Sequence, residues 1–223
     1  MSRIKWDQIG QRKYKTGIDH GVLYPQAGGL YPKGVAWNGL TNVTETPSGA
    51  ENTALYADNI KYLNLKSAED FGLTVECYTT PDEWEACNGE AAAAQGVTIA
   101  QQSRNTFGLC YRTLLGNDTD GQDYGYELHL VYGCSASPAE RSFGTVNDSP
   151  DAITFSYEIS TISVPVEGFK PTSLLTINSK TADPTKLAAL EEILYGKDAG
   201  GSTEAVDPRL PLPDEVIALM SAA

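Results

Sequence analysis

At 223 residues, 41% apolar and 20% charged, the chain can bury one β-sandwich-sized core with appended arms; it is short for two full domains and too apolar for a disordered polymer. The net charge of −13 is uneven: residues 1–34 carry six basic and two acidic side chains, the remainder ten and twenty-seven. An acidic body repels phosphate, which argues against tight nucleic-acid binding, and a basic arm on such a body suits copies that attract one another end to end.

In chain order, residues 1–16 (MSRIKWDQIGQRKYKT) lack the apolar stretch and cleavage site of a signal peptide, and no later apolar run is long enough for a bilayer. A soluble chain made in the cytoplasm, without a membrane partner, is expected. Residues 1–34 are read as a basic arm leading into the first strand or strands. Residues 38–53 (NGLTNVTETPSGAENT) are polar and rich in breakers, so a mobile loop is expected there, before apolar residues return in ALYADNIKYLNLKS.

Strand signals dominate the middle. Phe71, Leu73, Val75 and Cys77 alternate with Thr74 and Glu76, and Pro81 opens a short helical turn over 82–87 (DEWEAC). Phe107, Leu109, Tyr111 and Leu115 line one strand, the polar turn 117–123 (NDTDGQD) follows, and Tyr124, Tyr126, Leu128, Leu130 and Tyr132 line the next, which together predict a hairpin. Ile153, Phe155, Tyr157 and Ile159 alternate again, and residues 173–178 (SLLTIN) supply a shorter strand. A helix is predicted over 183–196, with Asp183 as N-cap, Pro184 in its first position, Leu187, Leu190, Ile193 and Leu194 as its apolar stripe and Gly196 closing it. Residues 197–223 read as a flexible Gly- and Pro-rich segment with a last helical turn over 215–220. The fold expected is mainly β: two packed β-sheets, sandwich- or barrel-like, over 35–196, with one flanking helix and extended arms.

The opposite strand faces carry Glu76, Arg112, Glu127, His129 and Glu158, too many ionisable groups for a sheet buried on both sides, so one face is expected to meet water or a wet channel. Cys77, Cys87, Cys110 and Cys134 form no CxxC pair and are expected as free thiols. His20 and His129, the two histidines, lie in no motif that pairs them with a nucleophile or a metal, and GxSxG, HExxH, GxxxxGK[ST] and GxGxxG are all missing. The acids of Asp118–Asp123 fit a hairpin turn better than a calcium loop, and nothing sets the separation of Asp151 and Glu158 as a glycosidase pair. No catalytic, cofactor or metal residue is nominated, and a non-enzyme is expected.

The segments MSRIKWDQIGQRKYKTGIDHGVLY, PSGAENTALYADNIKYLNLKSAEDFGLTVECYTTPDEWEACNG and FGLCYRTLLGNDTDGQDYGYELHLVYG together resemble the major tail proteins of siphophages of Gram-positive hosts, with ALYADN before an alternating strand and a DEWE-type turn as the most specific piece. The resemblance covers most of residues 1–196, through order and spacing of segments. It implies a virion subunit assembled in the host cytoplasm: hexameric rings stack into a hollow tail, inner strands of neighbouring subunits close a lumen barrel, and arms and a long loop bridge rings. Its partners would be further copies, a tape measure protein, a tail terminator and distal tail or baseplate proteins, with DNA passing without specific contact. On that reading Glu76, Glu127 and Glu158 are candidates for the wet face. Arg3, Lys5, Arg12, Lys13 and Lys15 are candidates for an inter-subunit clasp, and the loop 38–60, with Asn42, Glu45, Glu51, Tyr56 and Asp58, for ring stacking. The competing expectations are a tail terminator or head–tail connector, a carbohydrate-binding β-sandwich and a small β-rich hydrolase; Trp6, Trp37 and Trp84 are too scattered in sequence to claim a sugar platform.

Overall fold

The computed structural model describes residues 3–146, 148, 151–200 and 205–221. The first half holds β1 (Lys13–Pro25), β2 (Val35–Ala36), β3 (Leu40–Glu45), β4 (Ser48–Gly49), β5 (Asn52–Ala57), β6 (Ile60–Lys66), β7 (Glu69–Asp70), β8 (Gly72–Cys77), the single-turn helix α1 (Trp84–Cys87), β9 (Ala91–Ala94) and β10 (Val97–Ile99). The second half holds β11 (Phe107–Asn117), β12 (Gly121–Ala136), β13 (Phe155–Thr161), β14 (Leu174–Asn178), α2 (Pro184–Tyr195) and α3 (Pro213–Ser221). The mainly β expectation holds.

Eight strands form one antiparallel sheet in the order β2-β1-β11-β12-β13-β8-β3, with β14 also paired to β12. The β11–β12 hairpin turns where Asn117 Oδ1 accepts hydrogen bonds from the Thr119 and Asp120 amides, an Asx-type turn closed by Gly121 at φ +60°. β12 outlasts every neighbour. Its free edge pairs with β14 over Glu127–Val131 and with β13 over Cys134–Ala136. The changeover falls at Gly133, where φ is +61° and a Cβ would collide with the Ile162 carbonyl oxygen, so only glycine fits.

Instead of two separate sheets, the single sheet coils on itself until β3 comes alongside β1 without sharing a ladder. Inside the coil, Leu23, Leu73, Val75, Leu109, Val131, Tyr157 and Ile159 pack around Trp84, which touches Trp37, Phe107 and Tyr157 at ring-centroid distances of 4.7, 5.2 and 4.9 Å. A second core lies on the outer side of β1, β11 and β12, where Tyr24, Cys110, Leu128, Leu130 and Tyr132 meet Leu187, Leu190 and Leu194. Those leucines are three of the four residues of the stripe predicted for α2; Ile193 lies outside this core. The Asp183 carboxylate accepts the Thr185 and Lys186 amides, Pro184 takes the first position, and Gly196 at φ +81° ends the helix. Central strands are therefore buried on both faces.

Two expectations are corrected. The segment after residue 197 is docked, not a free linker: Leu210 and Val216 are buried in the second core, Lys197 bridges to Val206, Tyr31 bridges to Leu210, and α3 packs against α2. Its prolines spell irregular backbone, yet Leu210, Leu212 and Val216 supply apolar surface that gains by leaving water; residues 201–204 and 222–223 of that expectation lie outside the described residues. The stretch 38–53 is largely strand rather than loop, with β3, β4 and the start of β5 separated by short connections, and 38–60 as a whole runs on through β5 to the turn into β6.

Candidate assembly surface

β3 with β8, β4 with β7 and β5 with β6 are nested pairs, so Leu40 to Cys77 is one long antiparallel hairpin whose root belongs to the main sheet and whose tip does not. The tip turns at Asp58–Asn59, with φ of 51° and 62°, the paired positive values that a two-residue primed turn requires. Along the ribbon Leu55 opposes Leu63 and Thr53 opposes Leu65, and directly opposed residues share a face. Leu55, Leu63 and Leu65 are 42%, 38% and 54% exposed, and Tyr56, Ile60 and Tyr62 more so. A two-stranded ribbon is marginal in water by itself, and this one leaves its apolar side chains exposed.

The stacking candidates divide at the root of this arm. Glu51, Tyr56 and Asp58 lie on the arm or its tip, exposed. Asn42 and Glu45 sit in β3, and Glu45 faces inward: its Oε1 accepts a hydrogen bond from the Tyr111 hydroxyl at 2.6 Å and lies 3.2 Å from His129 Nδ1. Glu45 is thereby tied to its own chain, though its side chain stays 37% exposed.

The wet-face candidates divide too. Glu76 pairs with Asn42 on one side and Ser156 on the other, while Glu158 pairs with Thr74, which sets all of them with Thr44 on the outer, polar face of the β3–β8–β13 ladder. Val75, Tyr157 and Ile159 fill the inner face. Glu127 is on the inside of the coil, 8% exposed, where Lys15 Nζ approaches to 2.5 Å and the Asn178 amide donates at 3.0 Å. Burial pushes its carboxyl up, but Lys15, Asn178 and His129 outweigh burial and hold it below the usual range. The inference that ionisable residues force a strand face into water thus fails in mid-sheet, because these charges are paired internally. Arg112 likewise holds Asp19 with two parallel hydrogen bonds of 2.7 Å, and the guanidinium keeps that carboxyl low.

Of the clasp candidates, Arg3, Lys5 and Arg12 lie in an exposed segment before the sheet, together with Ile4, Trp6 and Ile9 at 70%, 73% and 85% exposure. Lys13 and Lys15 belong instead to β1, opposite Asn117 and Leu115, so the arm ends at residue 12.

A second hairpin, β9–β10, pairs only with itself among the described residues and is exposed along its length. Arg141 reaches Glu90 at 2.6 Å and ties its base to a loop that exposes Phe143 and Val146. Sequence reasoning missed this hairpin and the apolar ribbon; the Asp-Asn pair between Ala57 and Ile60 was the signal for the latter. Trp37 and Trp84 are buried and offer no surface platform. Among the described residues no group of His, Cys, Asp and Glu is arranged to hold a metal, and no helix is long and apolar enough to cross a membrane. No family model matches the chain, and no curated protein matches it.

Proposed function

We propose that this chain is the repeating subunit of a bacteriophage tail tube, a structural protein that polymerises with copies of itself around a passage for DNA. The observation that carries the reading is the Asn52–Lys66 ribbon: an apolar two-stranded arm that reaches out from a closed body and finds no partner on its own chain among the described residues. Such an arm is completed by association. The polar outer face of β3, β8 and β13, with Glu76 and Glu158, suits a wet bore along which a polyanion slides without sticking. The Ile4–Trp6–Ile9 segment, interleaved with Arg3, Lys5 and Arg12, provides a second arm for an acidic neighbour. On this reading the further partners are a tape measure protein within the bore and terminator and distal tail proteins at its ends, and the protein resides in the virion.

Negative-stain microscopy of the concentrated chain, and mass spectrometry of tails from particles containing it, test the proposal. Rings or tubes, with the chain at tens to hundreds of copies per tail, are expected. A monodisperse monomer under all assembly conditions, together with absence from particles, overturns it.

A further inference from the structure

The long arm and the β9–β10 hairpin leave opposite ends of the same ladder. In the β3–β8–β13 register, Glu45, Leu73 and Ile159 lie at the end from which the arm departs, and Leu40, Cys77 and Phe155 at the other. From that second end the chain continues through α1 into β9–β10, and the loop carrying Phe143 returns there, its ring 6.4 Å from Phe155. One end of the ladder thus projects an apolar ribbon, and the other presents a hairpin with no charged residue between Ala91 and Ser103, with Val97, Ile99, Phe143 and Val146 exposed at 53%, 51%, 72% and 82%.

Charge matches as well. The ribbon carries Lys61 next to its tip and Lys66 at its base, against Asp58 in the turn, and among the described residues neither lysine has a carboxylate within 4 Å. Around the opposite end Asp82, Glu85 and Glu140 likewise have no cation within 4 Å among the described residues. Both hairpins are isolated two-stranded sheets with open edges.

We infer that the β5–β6 ribbon of one copy docks on the β9–β10 hairpin and the Phe143 loop of the next, apolar face to apolar face and edge to edge, in a head-to-tail contact. The inference rests on the assembly reading above and names the surface that receives the arm. Because donor and acceptor are different patches at opposite ends of one molecule, the contact is heterologous and propagates in one direction, unlike a two-fold contact that stops at a dimer. Ribbon and hairpin together complete the edges that each leaves unpaired.

Two variants of the full chain separate the surfaces. Leu63→Glu with Leu65→Glu disables the ribbon, and Val97→Asp with Phe143→Glu disables the acceptor; all four side chains are exposed, so the fold is retained, as circular dichroism would verify. In sedimentation velocity the wild type is expected to form long polymers and each variant to stop at the unit from which the tube is stacked, a single subunit or a single ring. Mixing the two separately prepared variants is expected to stop at pairs of that unit, since one intact ribbon meets one intact acceptor. Long polymers from the acceptor variant alone, or a mixture with no species beyond that unit, overturn the docking surface while leaving the assembly reading intact. A wild type that never self-associates sinks both.

Discussion

The Tyr111 phenol and the His129 imidazole lie face to face, ring centroids 4.6 Å apart and planes 4° from parallel, and both converge on Glu45 at the root of the arm. Thr113 Oγ1 holds His129 Nε2 at 2.9 Å, while Nδ1 is near Glu45 but out of line for a hydrogen bond. Burial lowers the imidazole pKa below 6.5, against the opposing pull of Glu45 and Glu127. Above that pH the ring is neutral in the folded and unfolded chains and contributes no pH dependence. Below it the unfolded chain takes up the proton more readily, so stability falls with pH until the folded ring also protonates. Urea melts at pH 7.5 and 5.5 are expected to show a lower midpoint at 5.5, and His129→Gln is expected to flatten that difference. An equal drop in the variant would place the effect elsewhere.

Trp84 closes the inner core with its Nε1–H unpaired. Trp84→Ala is expected to destabilise by about 3–5 kcal/mol through the cavity it leaves. Trp84→Phe is expected to cost clearly less, because it retains most of the aromatic contact and removes a buried donor without an acceptor. Denaturant unfolding of the two variants checks the order.

Gly133→Ala places a methyl group against the Ile162 backbone at a positive φ that alanine resists. A loss of about 3 kcal/mol is expected, large for a single methyl group, since neither the carbonyl nor the β12 bulge can move aside. A change under about 1 kcal/mol in thermal or chemical unfolding would show that the changeover of partners tolerates a side chain.

All four cysteines are free and buried. Burial pushes the Cys87 and Cys110 thiols up to about 12 and raises Cys77 and Cys134 as well. Ellman's reagent at pH 8 is expected to titrate no thiol in the native chain and four in denaturant, because the reactive thiolate is neither formed nor reachable. Rapid native labelling of any one of them would contradict this packing.

Several elements were legible from local chemistry. The period-2 pattern of Phe71–Cys77 and Phe107–Leu115 gives strands, and the Asp183–Pro184 start with leucines at helical spacing gives α2, because capping and amphipathicity act within a few residues. Side-chain direction relative to distant elements was not legible. Glu127 and Glu158 occupy equivalent-looking polar positions in alternating strands, yet one is buried beside Lys15 and Asn178 and the other is exposed, a distinction made by the coiling of the sheet and by which strand lies across it.

The sequence by itself determined a β-rich chain with one capped helix, a basic lead-in and an acidic body, since those properties reside in composition and short-range periodicity. Tertiary structure alone decided that the polar stretch after residue 38 extends a strand into an arm, that Leu55, Leu63 and Leu65 stay exposed, and that the Pro-rich terminus, with α3 against α2, completes the second core. Whether an apolar side chain is core or contact surface depends on what stands opposite it in space, and that information is spread over residues tens to hundreds of positions apart.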